Sequence, residues 1–271
     1  MYGGKMNSLL STLIERFEDT ALAGANVIPW SCPVPAFGDL SRSTIATVGL
    51  NPSNREFVDD EGNELEGPLR RFHTLKSLGL TCWADANAQH LQLIVDSCSA
   101  YFSRNPYDRW FKKLDHLISG TDVSYYHESM KACHLDLIPY ATSCKWTELS
   151  SRQRSSLLAV AADTLGVLLR DSPVRLLILN GNSVVEKFQD ISGVRLEKQA
   201  MRNWALPRQS NSDVNGFAYT GCVRNISGTK LKRELLVLGF NHNIQSSFGV
   251  TTEVTTAIRH WIAQTASETV S

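Results

Sequence analysis

Short unbroken apolar runs alternate along this chain with stretches in which apolar residues recur every three or four positions. An unbroken run is typical of a strand covered on both faces, and the wider spacing is typical of an amphipathic helix. The runs predict strands at 45–50, 132–140, 174–181 and 235–243, and the spacing predicts helices near 6–20, 84–102, 106–119, 150–170, 182–190 and 251–265. This alternation predicts an α/β fold with a parallel sheet.

Two further features refine this organisation. A less regular alternation between 193 and 224 predicts a β insertion around the loop "PRQSNSDVNG". Asn105 and Pro106 suit the N-cap and the first position of the helix over 106–119. No repeat or linker divides the chain, so we expect a single domain over 1–271.

Composition excludes several classes of protein. Lys plus Arg equals Asp plus Glu at 27 each, so no net field favours or opposes nucleic acid, although a local groove can still be basic. The six cysteines lie far apart, without the paired spacing of zinc or iron–sulfur sites. No run reaches the length of a membrane span or signal peptide. We therefore expect a cytoplasmic protein without a metal, a cofactor, a membrane contact or an obligate protein partner.

Polar residues follow the apolar runs where each predicted strand ends. The first run leads into Asn51, Pro52 and Ser53, the second contains Asp136, and the last ends in Asn-His-Asn at 241–243. In a parallel sheet the ligand lies beyond the carboxyl ends of the strands. These polar groups are therefore expected to converge on one cleft.

Two of these segments carry a resemblance to a known family. "GLNPS" at 49–53 and "NHNIQSS" at 241–247 resemble the motifs of the uracil-DNA glycosylase superfamily, which are Gly-x-Asn-Pro-Gly or Gly-x-Asp-Pro-Tyr after a strand and a late His-Pro-Ser. The resemblance covers most of the chain in order, with Asn243 in place of the proline. It implies a three-layer α/β/α fold with a central, mainly parallel four-stranded sheet. It also implies a monofunctional DNA glycosylase, and the scattered cysteines argue against the iron–sulfur branches.

The resemblance assigns roles to individual residues. A nucleotide flips out of the DNA, Asn51, held rigid by Pro52, positions the attacking water, and His242 donates a hydrogen bond to the base oxygen O2. A preorganised donor of this kind is worth on the order of 3 kcal/mol. The residues expected to contact DNA are Asn243, Gln245, Ser246 and Ser247. The candidates for the side chain that fills the vacated stack are Ile244, Gln245 and Phe248.

Two departures from the family indicate the base. Asp136 stands where related glycosylases often carry an asparagine that reads uracil, and a protonated carboxyl instead complements the donor and acceptor edge of cytosine. Ser53 stands where the uracil-selective branch has a tyrosine that closes the C5 edge. The expected substrate is therefore a C5-modified cytosine, such as glucosylated 5-hydroxymethylcytosine of phage DNA, in an antiviral role. Phe57, in preference to Phe72, is expected to stack on the flipped base.

Several alternatives stay open at the level of sequence. The protein could be a uracil or mismatch repair glycosylase, a hydrolase of free nucleosides, or a non-catalytic DNA-binding module of the same fold. His242 could sit in a polar network, Asp136 could be satisfied by backbone amides, and Phe57 could pack in the core. The sequence around Ser53 argues against a serine hydrolase, because no G-x-S-x-G elbow surrounds that residue.

Overall fold

A computed structural model describes residues 2–126, 129–207, 213–245 and 249–270. The helices are α1 Tyr2–Glu15, α2 Thr20–Ala23, α3 Ala88–Ser99, α4 Asp108–Ile118, α5 Ser151–Ala161, α6 Asp163–Arg170, α7 Asn182–Ser192 and α8 Thr252–Val270. The strands are β1 Ile45–Gly49, β2 Ala132–Asp136, β3 Leu176–Asn180, β4 Glu197–Leu206, β5 Val214–Ile226 and β6 Thr229–Phe240. No helix among these residues has both the length and the apolar character that crossing a membrane requires.

The strands form one sheet in the order β2-β1-β3-β6-β5-β4. The first four strands of this order run parallel to one another. β5 then pairs antiparallel with β6, and β4 pairs antiparallel with β5 at the edge of the sheet. The α/β class with a mainly parallel sheet is therefore confirmed. The sheet has six strands rather than four, because two strands form in and beside the segment at 193–224 and extend it.

Both faces of the parallel strands are covered, which explains their unbroken apolar runs. Every residue of β1, β2 and β3 is buried. Because side chains alternate along a strand, Ala46 and Val48 of β1 join one hydrophobic core while Ile45 joins the other. The first core contains residues of α5, α6 and α7, and the second contains residues of α3, α4 and α8.

The start of α4 differs from the sequence prediction. The helix begins at Asp108 with Tyr107 at the N-cap, two residues later than the pattern indicates. Asn105 does not cap it, because its side-chain amide donates to the carbonyl of Leu69 at 2.7 Å. The backbone at Pro106 instead accepts a hydrogen bond from the Asp108 amide. A tertiary contact has therefore replaced the local cap that the sequence suggests.

Candidate active site

A cleft of about 540 Å³ opens where the parallel strands end. Its walls come from the loops that follow β1, β2, β3 and β6 and from one residue of α4. The lining residues are 49–54, 110, 142, 144–147, 180–184, 241, 243 and 245. The two motif segments that are remote in sequence therefore border the same cleft.

Asn51 is held in one orientation at the wall of this cleft. Its Nδ2 donates to Thr142 Oγ1 at 3.0 Å and to the Pro52 carbonyl at 3.1 Å, and it lies 3.4 Å from the Tyr140 carbonyl. The Thr142 hydroxyl donates its own hydrogen to the Cys144 carbonyl, so its oxygen can accept the hydrogen bond from Asn51. Three acceptors around the nitrogen fix the amide and leave Oδ1 for a ligand in the cleft.

Pro52 and Ser53 shape the loop that follows Asn51. Pro52 is buried and Ser53 is exposed, and both line the cleft. The Ser53 hydroxyl accepts from the Arg55 amide at 3.2 Å and thereby caps a short 3-10 turn over Asn54–Glu56. Ser53 also pairs with Thr142 in an isolated parallel bridge. The serine therefore ties two loops together and puts no bulky side chain into the cleft.

Asp136, which was predicted to recognise the base, is not among the residues that line the cleft and lies directly behind the wall at Gly49. It pairs with Gly49 across β1 and β2 and is 5% exposed. A Cβ at Gly49 would collide with Asp136 Oδ1 and lie 3.0 Å from His134 Nε2, so only glycine lets the carboxyl approach the wall. His134 Nε2 is 3.4 Å from Asp136 Oδ1, within ion-pair range. Among the described residues, this imidazole rather than a backbone amide is the polar partner of Asp136.

A second buried carboxyl, that of Glu56, lies near Asp136. Tyr101 donates its hydroxyl to Glu56 Oε2 at 2.8 Å, and Arg71 Nε is 4.0 Å from the same oxygen. Burial raises the pKa of Glu56 to about 7, and the hydrogen bond from Tyr101 and the charge of Arg71 oppose that rise.

Phe57 does not reach the cleft, so the expectation that it stacks on the base is wrong for this structure. Phe57 is 1% exposed, and its ring centre lies 6.2 Å from that of Trp30 and 5.9 Å from that of Phe72. Phe72 is equally buried. The 3-10 turn that starts at Ser53 directs the chain inward, where both rings contribute to the second core.

The aromatic rings on the cleft lining are those of Trp110 and Trp146, which the sequence analysis missed. Trp110 is partly exposed on α4, and its ring centre lies 5.0 Å from that of His134. The signal was the adjacent pair Trp110-Phe111: neighbouring residues on a helix face different directions, so only one of the two rings can enter the core. Phe111 is the buried member.

His242 turns away from the cleft, which corrects the expectation that it bonds the base. It is 4% exposed, and its Nε2 lies 2.6 Å from the backbone carbonyl of Trp204 on β4. A carbonyl only accepts, so Nε2 carries the hydrogen. Burial lowers the pKa of His242, which favours a neutral ring whose Nδ1 cannot donate. The polar-network alternative therefore describes this histidine, because β4 supplies an acceptor that the late motif alone does not reveal.

The loop after β6 is described as far as Gln245. Asn243 and Gln245, two of the residues predicted to contact DNA, line the cleft. Ile244 is buried in the second core, so its side chain is not available to fill a vacated base stack. Ser246, Ser247 and Phe248 lie outside the described residues.

Two cleft amides have unsatisfied atoms. Asn180 Nδ2 donates to Gln245 Oε1 at 2.8 Å, while Asn180 Oδ1 and Gln245 Nε2 are buried without a hydrogen-bond partner among the described residues. Asn243 Oδ1 accepts from the Gln245 amide at 3.1 Å and steadies the loop. The wall therefore holds one spare acceptor and one spare donor side by side.

The charge on the cleft lining is small and positive. Among the described residues of the lining, Lys145 is the charged one, and α7 begins at Asn182, which also lines the cleft. A helix N-terminus carries partial positive charge and attracts anions. Within the described ranges, no three His, Cys, Asp or Glu side chains lie close enough together to hold a metal ion.

Comparison with known proteins adds no assignment. No protein-family model matches this chain, and no curated protein matches its sequence. What the protein does must therefore be inferred from the residues that line the cleft and those directly behind it.

Proposed function

We propose that this protein is a monofunctional DNA glycosylase of the uracil-DNA glycosylase superfamily. It hydrolyses the N-glycosidic bond of a flipped-out, C5-modified cytosine and leaves an abasic site. The observation that carries the proposal is the fixed amide of Asn51 on one cleft with the carboxyl of Asp136 directly behind its wall. The run of four parallel strands with a hydrophobic core on each face supports the three-layer architecture of that superfamily.

Asn51 supplies the site for the nucleophile. Hydrolysis requires a water molecule aligned with the anomeric carbon of the deoxyribose, on the side opposite the base. The Oδ1 atom of Asn51 accepts a hydrogen from that water, while the bonds of Nδ2 keep the amide from turning. An amide adds no negative charge beside the cationic sugar, so Asn51 acts by orientation rather than by charge.

Asp136 selects the base and helps it to leave. A protonated carboxyl donates to cytosine N3 and accepts from the N4 amino group, whereas uracil presents the opposite pattern. Transfer of the carboxyl proton toward N3 neutralises the charge that builds on the departing base. This role replaces the one expected of His242, whose Nε2 is bound to Trp204.

The remaining walls suit a substituted base in DNA. Ser53 is exposed and small, so the C5 edge of a cytosine meets no bulky side chain there and has room for a hydroxymethyl or glucosyl group. Trp110 offers the ring on which the base stacks. Lys145 and the start of α7 attract the phosphates beside the flipped nucleotide. The substrate that combines these features is the glucosylated 5-hydroxymethylcytosine of phage DNA, attacked in the cytoplasm in antiphage defence.

The test is cleavage of matched oligonucleotides. Duplexes and single strands that carry uracil, cytosine, 5-hydroxymethylcytosine or its glucosylated form are incubated with the protein, and abasic sites are then broken with alkali. Asn51→Ala removes the water-orienting amide, and Asn63→Ala changes an exposed asparagine in a remote turn as the matched control. We expect breaks at the modified cytosine with wild type and Asn63→Ala, and at least a hundredfold loss with Asn51→Ala, as for other single preorganising groups.

Other outcomes identify the alternatives. Breaks at uracil alone indicate a repair glycosylase and overturn the cytosine assignment. Release of free bases from nucleosides, without DNA binding, indicates a hydrolase of small substrates.

One observation favours a non-catalytic DNA-binding module as the second candidate. The histidine of the late motif is turned to Trp204 and contributes no donor to the cleft. Such a module would bind the modified duplex in a gel-shift assay and produce no breaks with any of the bases, and Asn51→Ala would leave that binding unchanged.

A further inference from the structure

We infer that Tyr125, Thr47 and His134 form a buried series of hydrogen bonds that fixes the proton of Asp136 on its Oδ2 atom. His134 is therefore a positioning residue for cytosine recognition. This inference rests on the proposed function, since it specifies how Asp136 reads the base. None of the three residues lines the cleft, and neither motif of the resemblance contains them.

The side chains of this series follow one another without a gap on the face of the sheet that the second core covers. The Tyr125 hydroxyl lies 2.5 Å from Thr47 Oγ1, Thr47 Oγ1 lies 2.7 Å from His134 Nδ1, and His134 Nε2 approaches Asp136 Oδ1 to 3.4 Å. Thr47 pairs with His134, and Gly49 with Asp136, in the register of β1 and β2. The sheet itself therefore brings these side chains together.

The direction of the hydrogen bonds follows from burial. Tyr125 is buried, and among the described residues its hydroxyl bonds Thr47 alone. A buried hydroxyl hydrogen without an acceptor costs about 1–3 kcal/mol, so Tyr125 donates to Thr47. Thr47 then has its own hydrogen to give to His134 Nδ1, which must be unprotonated to accept it. The single imidazole hydrogen therefore lies on Nε2, the nitrogen that is 3.4 Å from Asp136 Oδ1.

This tautomer orders the carboxyl. Oδ1 of Asp136 lies 3.4 Å from Nε2, so the positive end of the Nε2–H dipole favours a lone pair on Oδ1 and places the acid proton of the neutral carboxyl on Oδ2. Oδ2 is then the donor for cytosine N3, and Oδ1 retains a lone pair for the N4 amino group. With the opposite tautomer, Nε2 would accept the carboxyl proton, and the donor needed by cytosine would be lost.

The surroundings of His134 hold its ring in place. The rings of Phe37, Phe111 and Trp110 pack against it with centres 5.0–5.4 Å away. Their edges offer no competing acceptor for the imidazole hydrogen. Glu56 is the neighbouring carboxyl, and its own proton is held through burial, with its Oε2 bonded to Tyr101. Among the described residues, Asp136 is therefore the carboxyl within ion-pair range of His134 Nε2.

The experiment compares three variants. Thr47→Val removes the hydroxyl that fixes the tautomer and keeps the volume. His134→Gln places an amide nitrogen near the position of Nε2, whereas His134→Asn reaches only as far as Nδ1. Thr164→Val removes an equally buried threonine hydroxyl on α6, away from the cleft, as the matched control. All are assayed on oligonucleotides with glucosylated 5-hydroxymethylcytosine and with uracil, and their folding is checked by thermal denaturation.

We expect Thr47→Val and His134→Asn to lower kcat/KM at the modified cytosine by about tenfold to a hundredfold, the range for one bidentate base contact. In these two variants, activity at uracil is expected to stay unchanged or to rise. His134→Gln is expected to retain the selectivity for modified cytosine over uracil. Equal losses in Gln and Asn variants, or a loss in Thr164→Val as large as that in Thr47→Val, would overturn the inference.

A second measurement is independent of catalysis. Nitrogen-15 NMR of histidine-labelled wild-type protein reports the tautomer of His134, and we expect hydrogen on Nε2 with Nδ1 unprotonated. A hydrogen on Nδ1 would overturn the inferred series of hydrogen bonds, whatever cleavage activity is measured. The expected tautomer, together with no cleavage of any oligonucleotide by wild type, instead overturns the proposed function and the role in base selection that rests on it.

Discussion

Glu56 is a buried acid whose proton is linked to stability, and replacing it with glutamine tests the electrostatics behind the cleft. Its pKa of about 7 results chiefly from burial. Glutamine has the shape of the protonated acid and can still accept the hydrogen bond of Tyr101. Glu56→Gln therefore removes the cost of burying a charge and keeps the packing.

The magnitude follows from the two pKa values. Between the ordinary value of 4.5 and about 7, the folded protein holds the Glu56 proton and the unfolded chain releases it. The free energy of unfolding therefore falls as the pH rises through this window and changes no further above it. The difference between the two values corresponds to about 3 kcal/mol. Glu56→Gln is expected to be more stable than wild type by about that amount at pH 8 and nearly equal to it at pH 4.

Urea denaturation from pH 4 to pH 9 measures the difference directly. Other titrating groups are common to both proteins, so their contributions cancel in the comparison. Glu61→Gln, at an exposed position in a loop, is the control and is expected to change stability little at any pH. Curves for wild type and Glu56→Gln that stay parallel across the window would refute the assignment of a protonated, buried Glu56.

Four other substitutions test the cleft and the core beside it. Asn51→Asp turns a carboxylate oxygen toward the acceptors that now surround Nδ2, so we expect a loss of about 1–3 kcal/mol in chemical denaturation, and unchanged stability would contradict this orientation. Gly49→Ala pushes the Asp136 carboxyl from its place, so cleavage at modified cytosine is expected to fall about tenfold or more. Phe57→Ala is expected to cost about 3–5 kcal/mol of stability, whereas Trp110→Ala is expected to raise KM about tenfold; the reverse result would restore Phe57 as the stacking ring.

Much of the parallel sheet was predictable because its signal is local. The runs at 45–50, 132–140 and 174–181 each contain a buried strand, since burial on both faces demands apolar residues at every position. Parallel strands end at a common ligand site, and this rule predicted that Asn51 and Asn243 lie on one cleft, as they do. These features follow from periodicity and from topology.

The wrong predictions concern residues whose position depends on tertiary contacts rather than on the local sequence. The pattern around Phe57 is compatible with a cleft residue or a core residue, and only the packing of Trp30 and Phe72 selects the core. His242 matched the late motif, but a carbonyl from β4, distant in sequence, captures its Nε2. Trp110 was overlooked because it lies on a helix outside both motifs. Contacts of this kind leave no short-range pattern in the sequence.

The two motif loops leave strands that have neighbours on both sides. β1 lies between β2 and β3, and Leu236–Phe240 of β6 lies between β3 and β5. Amide hydrogens in such central strands exchange with solvent only when the whole domain opens, whereas those of edge strands exchange through smaller fluctuations. The cleft walls are therefore anchored in the last part of the molecule to unfold. A partly opened state that frays β4 would retain the Asn51 side of the site and release the carbonyl that captures His242.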